Sequence, residues 1–145
     1  MSDFMGYKTY KIDAKGRISI PPEMREGIGE QFVASLGSGE SLVLYNLEDW
    51  TTFMSKIDSI PDTQKRQKLQ FYYRANAEKL SFDGQGRLFM NESLRTRAFL
   101  KDEKQAIVFG NGSKVEIWNC DKFNAKFNAI KPVDVSDILS EFGIY

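Results

Sequence analysis

The residues best suited to contact a ligand lie in a turn that the sequence contains twice. Residues 12–25 read IDAKGRISIPPEMR, and residues 82–95 read FDGQGRLFMNESLR. Each copy places an aspartate four residues before an arginine, with a glycine just before the arginine. These residues are Asp13, Gly16 and Arg17 in the first copy and Asp83, Gly86 and Arg87 in the second, and a further arginine matches at Arg25 and Arg95. A guanidinium is a planar donor that suits bidentate contacts with phosphate or with a guanine edge.

Each residue type in this turn also has a purely structural explanation. An aspartate that opens a turn accepts backbone N–H groups two residues on, and we favour that role for Asp13 and Asp83 over a ligand role. The two glycines allow the bend and carry no chemistry. The arginines either pair with the aspartate of the other turn or point outward to DNA. Because Lys15 lies beside it, Arg17 is expected to contact DNA, while both roles stay open for Arg87.

The rest of the composition argues against an enzyme. The chain has no histidine and a single cysteine, Cys120, which excludes the usual zinc sites and most Ser-His or Cys-His catalytic arrangements. The carboxylates form no recognisable pair. We therefore expect no metal, no cofactor and no small-molecule substrate. The 20 basic and 20 acidic residues give zero net charge, so any binding to nucleic acid must come from local patches.

Two local clusters of basic residues stand out. In the first, Lys8, Lys11, Lys15 and Arg17 outnumber the nearby Asp13 and Glu23. We expect Lys11 and Arg17 to share the outer face of one hairpin, with Lys8 as a further candidate DNA contact. The second cluster lies between positions 64 and 77, which contain no acidic residue. We interpret it as the solvated face of a helix.

The repeat extends beyond the turn and organises the chain. Residues 41–50, SLVLYNLEDW, match residues 114–123, KVEIWNCDKF. Each copy is expected to contain a strand, the turn, a return strand, a short helix, a second hairpin and an aromatic helix. Two copies are too few for a solenoid, so a closed unit in which each copy covers the apolar face of the other is favoured. We divide the chain into a first repeat (7–53), a helical linker (54–76), a second repeat (77–123) and a C-terminal helix and tail (124–145).

Local signals place several helix ends. Pro22 suits the first turn of a short helix, and Asn46 is a predicted N-cap that precedes a buried stripe. The segment after Pro132 has a weak amphipathic pattern and three acidic residues, and it is expected either to dock on a neighbour or to stay loose. The length fits one domain. The first residues lack the charge and the apolar run of a secretory signal, so we expect a cytoplasmic protein.

The tandem D-x-x-G-R turns, the IP that follows the first of them, and the aromatic segments downstream resemble the MraZ family over roughly residues 5 to 127. That family belongs to the AbrB-like swapped-hairpin group of bacterial transcriptional regulators. The resemblance implies a mixed α/β (α+β) fold in which two half-units form one pseudo-twofold swapped-hairpin β-barrel with flanking helices. Its motif maps onto Asp13 with Arg17 and onto Asp83 with Arg87. The second copy departs from the pattern, with Gln85 in place of the lysine and MNE in place of IPP.

The resemblance also implies a function. MraZ-like proteins assemble into rings and bind short direct repeats of double-stranded DNA upstream of the division and cell-wall gene cluster, usually as repressors. We therefore expect a nucleoid-associated, homo-oligomeric DNA-binding regulator. The alternatives are an antitoxin-like interaction module, a scaffold ring that does not bind DNA and, last, an enzyme that grips an anionic substrate between its two turns.

Overall fold

The computed structural model of the protein describes residues 2–145, which form eight strands and six helices. The strands are β1 Tyr7–Lys11, β2 Arg17–Ser19, β3 Gln31–Leu36, β4 Ser41–Asn46, β5 Glu78–Ser81, β6 Arg87–Phe89, β7 Gln105–Asn111 and β8 Lys114–Trp118. The helices are α1 Pro22–Ile28, α2 Leu47–Asp58, α3 Thr63–Ala75, α4 Glu92–Arg97, α5 Cys120–Ala129 and α6 Pro132–Glu141. No helix within the described residues is both long enough and apolar enough to cross a membrane.

The two repeats are joined by strand exchange. Six strands form one antiparallel sheet in the order β1-β7-β8-β4-β3-β5, and β2 pairs with β6 in a separate two-stranded ribbon. The first strand of each copy therefore pairs with the second hairpin of the other copy, and the two second hairpins meet where β4 pairs with β8. Exchanging the copies leaves the strand order unchanged. The fold is thus mixed α/β with the predicted pseudo-twofold arrangement.

The core lies between the ribbon, the short helices and one face of the sheet. Alternation along β2 and β6 turns Ile18 and Leu88 inward, and neither side chain is accessible to solvent. The strands of the second hairpins of both copies add further fully buried side chains to the same interior. Among them are Phe32, Leu42, Leu44, Val115 and Ile117. One continuous cluster therefore includes residues of both repeats.

Two expectations about the sheet are wrong. The predicted closed barrel is absent, since the six-stranded sheet ends at β1 and β5 and does not close on itself. The strands on either side of each turn also separate and do not continue as one hairpin. In the first copy only the Ile12–Ile18 bridge joins them, after which β1 pairs with β7 and β2 with β6. Both strands thus find their partners in the other copy, so long-range strand pairing overrides the local hairpin signal.

Helix ends follow the sequence signals. Pro22 begins α1, and the side chain of Asn46 accepts a hydrogen bond from the Asp49 N–H at the start of α2. Asn119 caps α5 in the same way, so the repeated asparagine has one structural role in both copies. These caps fix where the aromatic helices α2 and α5 leave the sheet. α6 carries no buried residue.

Candidate nucleic-acid interface

Each D-x-x-G-R turn is held by its aspartate. Asp13 Oδ1 accepts hydrogen bonds from the backbone N–H groups of Lys15 and Arg17, both at 2.9 Å. Asp83 Oδ1 accepts from Gln85 and Arg87 at the same distances. The expected structural role of both aspartates is therefore present.

The second carboxylate oxygen of each aspartate contacts an arginine. Asp13 Oδ2 accepts from Arg17 Nε at 2.6 Å, and Asp83 Oδ2 accepts from Arg87 Nε at 2.9 Å. Arg87 Nη1 also lies 3.8 Å from Asp13 Oδ2, which joins the two turns. Pairing between turns thus occurs for Arg87, whereas Arg17 pairs within its own turn. All four side chains remain about one third exposed.

The hydrogen bonds that shape the turns also lower the pKa values of the two aspartates. Donation from the Arg17 backbone, aided by its side chain and by the Lys15 backbone, lowers the pKa of Asp13 to about 2. The pKa of Asp83 is lowered in the same way, first by the Arg87 backbone. Both carboxylates are therefore ionised at neutral pH and hold their arginines in place electrostatically.

The ribbon presents the two arginines side by side on one outward face. In the β2–β6 register Arg17 lies opposite Phe89 and Ser19 lies opposite Arg87. Because Ile18 and Leu88 point into the core, these four residues share the opposite face. Phe89 is 53% exposed, so the surface combines two cations, one hydroxyl and one aromatic ring. Such a set can contact phosphates, base edges or a thymine methyl group.

The matched arginines Arg25 and Arg95, to which sequence reasoning assigned no role, hold the turns of the opposite copy. Arg25 Nε donates to the Ile20 carbonyl at 2.9 Å, and its guanidinium lies against Gly86, where an added Cβ would be 2.7 Å from Nε. Arg95 Nε donates to the Met90 carbonyl at 3.0 Å and lies against Gly16 in the same way. In the sequence, the signal for this role was that Arg25 and Arg95 occupy matching positions in the two copies.

The predicted lysines lie apart from one another. Lys15 is exposed at the tip of the first turn, beside Arg17. Lys8 and Lys11 are also exposed but lie on β1, three positions apart and so on opposite faces of the strand. Beyond the Ile12–Ile18 bridge β1 leaves the turn to pair with β7, and the expectation that Lys11 and Arg17 share one outer face stays a prediction.

The site offers little to a metal. Among residues 2–145, no group of three or more histidine, cysteine, aspartate or glutamate side chains is placed to hold a metal ion. Asp13 and Asp83 share the site, but each is already bound by an arginine. The arrangement can present fixed cations to an anion.

Comparison with known proteins identifies the family. The profile of the family described as "MraZ protein, putative antitoxin-like" matches residues 4–71 and 74–138. A protein of Lachnoclostridium phytofermentans named transcriptional regulator MraZ is 35% identical over 142 residues, covering 97% of this chain and 98% of the relative. Proteins of the same name from Alkaliphilus oremlandii (34% identity, 97% of this chain, 99% of the relative) and Ligilactobacillus salivarius (38% identity, 84% and 85%) are similar. With its family profile matched twice around tandem D-x-x-G-R turns, the chain belongs to the MraZ family.

Proposed function

We propose that this protein is a sequence-specific, DNA-binding transcriptional regulator that acts as a repressor in the cytoplasm, on the nucleoid. Its targets are short direct repeats in the promoter of a division and cell-wall gene cluster, and its binding form is a homo-oligomer. Relatives that align with nearly the whole chain carry the name transcriptional regulator, which supports the general function. The DNA surface we assign is the turn set Lys15, Arg17 and Arg87, with Lys8 and Lys11 as outer contacts.

The outward face of the ribbon is the observation that carries this proposal. Asp13 and Asp83 hold the Nε atoms of the two arginines, and Arg87 Nη1 also lies 3.8 Å from Asp13 Oδ2, so the end of the Arg17 guanidinium is the more available of the two. Within residues 2–145, neither Nη atom of Arg17 has a hydrogen-bond partner. A guanidinium held at one edge loses less conformational entropy when it binds, so the aspartates prepare the arginines for contact with DNA.

Zero net charge is compatible with DNA binding when a homo-oligomer repeats the basic turn surface in each of its subunits. A few Lys and Arg contacts per subunit give weak, salt-sensitive binding. A homo-oligomer that presents several such surfaces to several DNA repeats raises the effective concentration, and avidity then adds a factor of about 10²–10⁴ where the spacings match.

The test is a mobility-shift titration with the promoter of the gene's own neighbourhood. We expect Arg17→Ala to weaken binding by about tenfold or more, as loss of a good base or phosphate contact costs about 1–3 kcal/mol, with a smaller loss for Arg87→Ala. Lys56→Ala, an exposed lysine on α2, is the control and should leave the affinity unchanged. Circular dichroism should show that all three variants are folded.

Two results would count against the proposal. Absence of a shift on any local promoter, with the protein folded, would favour a scaffold that does not bind DNA. Unfolding of Arg17→Ala would show that the arginine serves the fold.

A further inference from the structure

The C-terminal helix is the least covered apolar surface of the molecule. Every residue from 124 to 145 is exposed, including all of α6. From Pro132 onward the exposed large apolar side chains are Val133, Val135, Ile138, Leu139, Phe142, Ile144 and Tyr145. A contiguous set of this kind on a soluble protein marks an interaction site.

The helix has two distinct stripes. Val135, Ile138, Leu139 and Phe142 follow the i, i+3, i+4, i+7 spacing that places side chains on one face. The acidic residues Asp134, Asp137 and Glu141 form a neighbouring stripe, and none of them has an ion-pair partner within residues 2–145. On the opposite flank lies Ser140. α6 is therefore an amphipathic helix with one acidic border.

The equivalent helix of the first repeat shows what α6 lacks. α3 follows α2 as α6 follows α5, and Tyr73 of α3 contacts Phe53 of α2 with ring centroids 4.9 Å apart. Only Ile130 and Lys131 separate α5 from α6, whereas four residues separate α2 from α3. Within the described part of the chain, residues 2–145, the apolar stripe of α6 has no such partner.

The outward face of α3 has the complementary character. Phe71 is 79% exposed at its centre, and Lys65 and Lys68 are exposed on one flank of that ring. The segment from 64 to 77 contains no acidic residue, while positions 132–145 contain three acids and no basic residue. The two helices are thus complementary in charge, and Phe71 gives the outward face of α3 an exposed apolar side chain that the apolar stripe of α6 can cover.

We propose that α6 of one copy packs on the outward face of α3 of a second copy, with its apolar stripe over Phe71 and its acidic stripe beside Lys65 and Lys68. The inference rests on the self-association in the proposed function and assigns the segment that produces it. Because the two surfaces differ, the contact is heterologous and repeats from copy to copy, which generates a ring when the rotation closes.

Cysteine cross-linking tests the contact. In a Cys120→Ser background, Phe71→Cys is placed in one chain and Ile138→Cys in another, and the two proteins are mixed under mild oxidation. We expect a heterodimeric disulfide in the mixture within minutes and at least tenfold less of it when Ser140→Cys replaces Ile138→Cys. Equal cross-linking by both cysteines, or none by either, would overturn the proposal.

Charge reversal gives a second, independent measurement. We expect Asp134→Lys/Asp137→Lys to lower the mass measured by light scattering, and Lys65→Glu/Lys68→Glu to lower it similarly. An equimolar mixture of the two variants should recover an assembly, since each carries the charge that the other lacks. An unchanged mass in both variants would contradict the contact. Arg17 does not lie on this surface. If the α6–α3 contact fails but Arg17→Ala still loses DNA binding with its mass preserved, the contact is rejected and the proposed DNA-binding function stands.

Discussion

The aspartate of each turn combines two tasks in one carboxylate, and Asp13 adds a third. One oxygen closes the turn on two backbone N–H groups, and the other holds a guanidinium. In the first copy it also meets the arginine of the second turn. The shape of each turn and the position of its arginine therefore depend on the same ionised group.

This dependence predicts a loss of stability in acid. The folded pKa of Asp13 is about 2, below the ordinary value near 4, and that of Asp83 is also lowered. The contribution is complete above pH 4 and disappears as the pH falls towards 2, because protonation then costs the folded state its hydrogen bonds. We expect Asp13→Asn/Asp83→Asn to reduce the wild-type decline in urea midpoint between pH 4 and pH 2. Asp102→Asn, on an exposed loop, serves as the control and should follow the wild-type curve.

Substitution of the turn glycines gives a second prediction at the residue scale. Gly16 has φ +87° and Gly86 has φ +75°, and an added Cβ at either position would meet the arginine of the opposite copy. We expect Gly16→Ala and Gly86→Ala each to lower the free energy of unfolding by about 1–3 kcal/mol. Gly84 lies in the same turn with nothing within 4 Å of an added Cβ and no positive φ. Gly84→Ala should change stability by less than about 0.5 kcal/mol in a urea titration; an equal loss would show that the crowding by arginine is unimportant.

At the scale of elements, local sequence signals predicted the helix ends correctly, because the interactions that set these ends join neighbouring residues. Pro22 begins a helix and Asn46 caps one because each acts on its own backbone neighbours. The β1 strand was predicted at its observed position, but its partner was not, since the sequence near Asp13 favours a hairpin. The partner of β1 is β7, a strand that lies about one hundred residues further along the chain. The roles of Arg25 and Arg95 were missed for the same reason.

The exchange of strands makes a prediction about the isolated repeats. Of the six strand pairings, four join one repeat to the other: β1–β7, β2–β6, β3–β5 and β4–β8. A fragment of residues 1–76 would keep only β3–β4, and a fragment of residues 77–145 only β7–β8. We expect neither fragment to fold as a monomer at micromolar concentration, and the mixture to regain the far-ultraviolet circular dichroism of the intact chain. A fragment that is both monomeric and cooperatively folded would contradict this account.

At the scale of the whole molecule, the two halves are related by fold but differ at their surfaces. The first turn carries Lys15 beside Arg17, whereas the second carries Gln85 beside Arg87. The first aromatic helix is followed by a packed basic helix, and the second by an exposed acidic one. Both copies thus contribute to one core, while the differences between their surfaces underlie the proposed DNA contact of the first turn and the proposed α6–α3 contact.

The proposed self-association predicts that DNA affinity depends on the number of DNA repeats as well as on their sequence. If one assembly places several first turns on several repeats, a promoter fragment with its full set should bind about 10²–10⁴ times more tightly than a fragment with one repeat. Inserting about five base pairs between repeats turns one repeat to the far side of the duplex and should remove most of that gain, because half-sites are read about one helical turn apart. Fluorescence anisotropy at fixed salt measures all three fragments, and the α6 variant Asp134→Lys/Asp137→Lys should bind each at the single-repeat level. Equal affinity for one repeat and for the full set in the wild-type protein would show that each subunit acts alone.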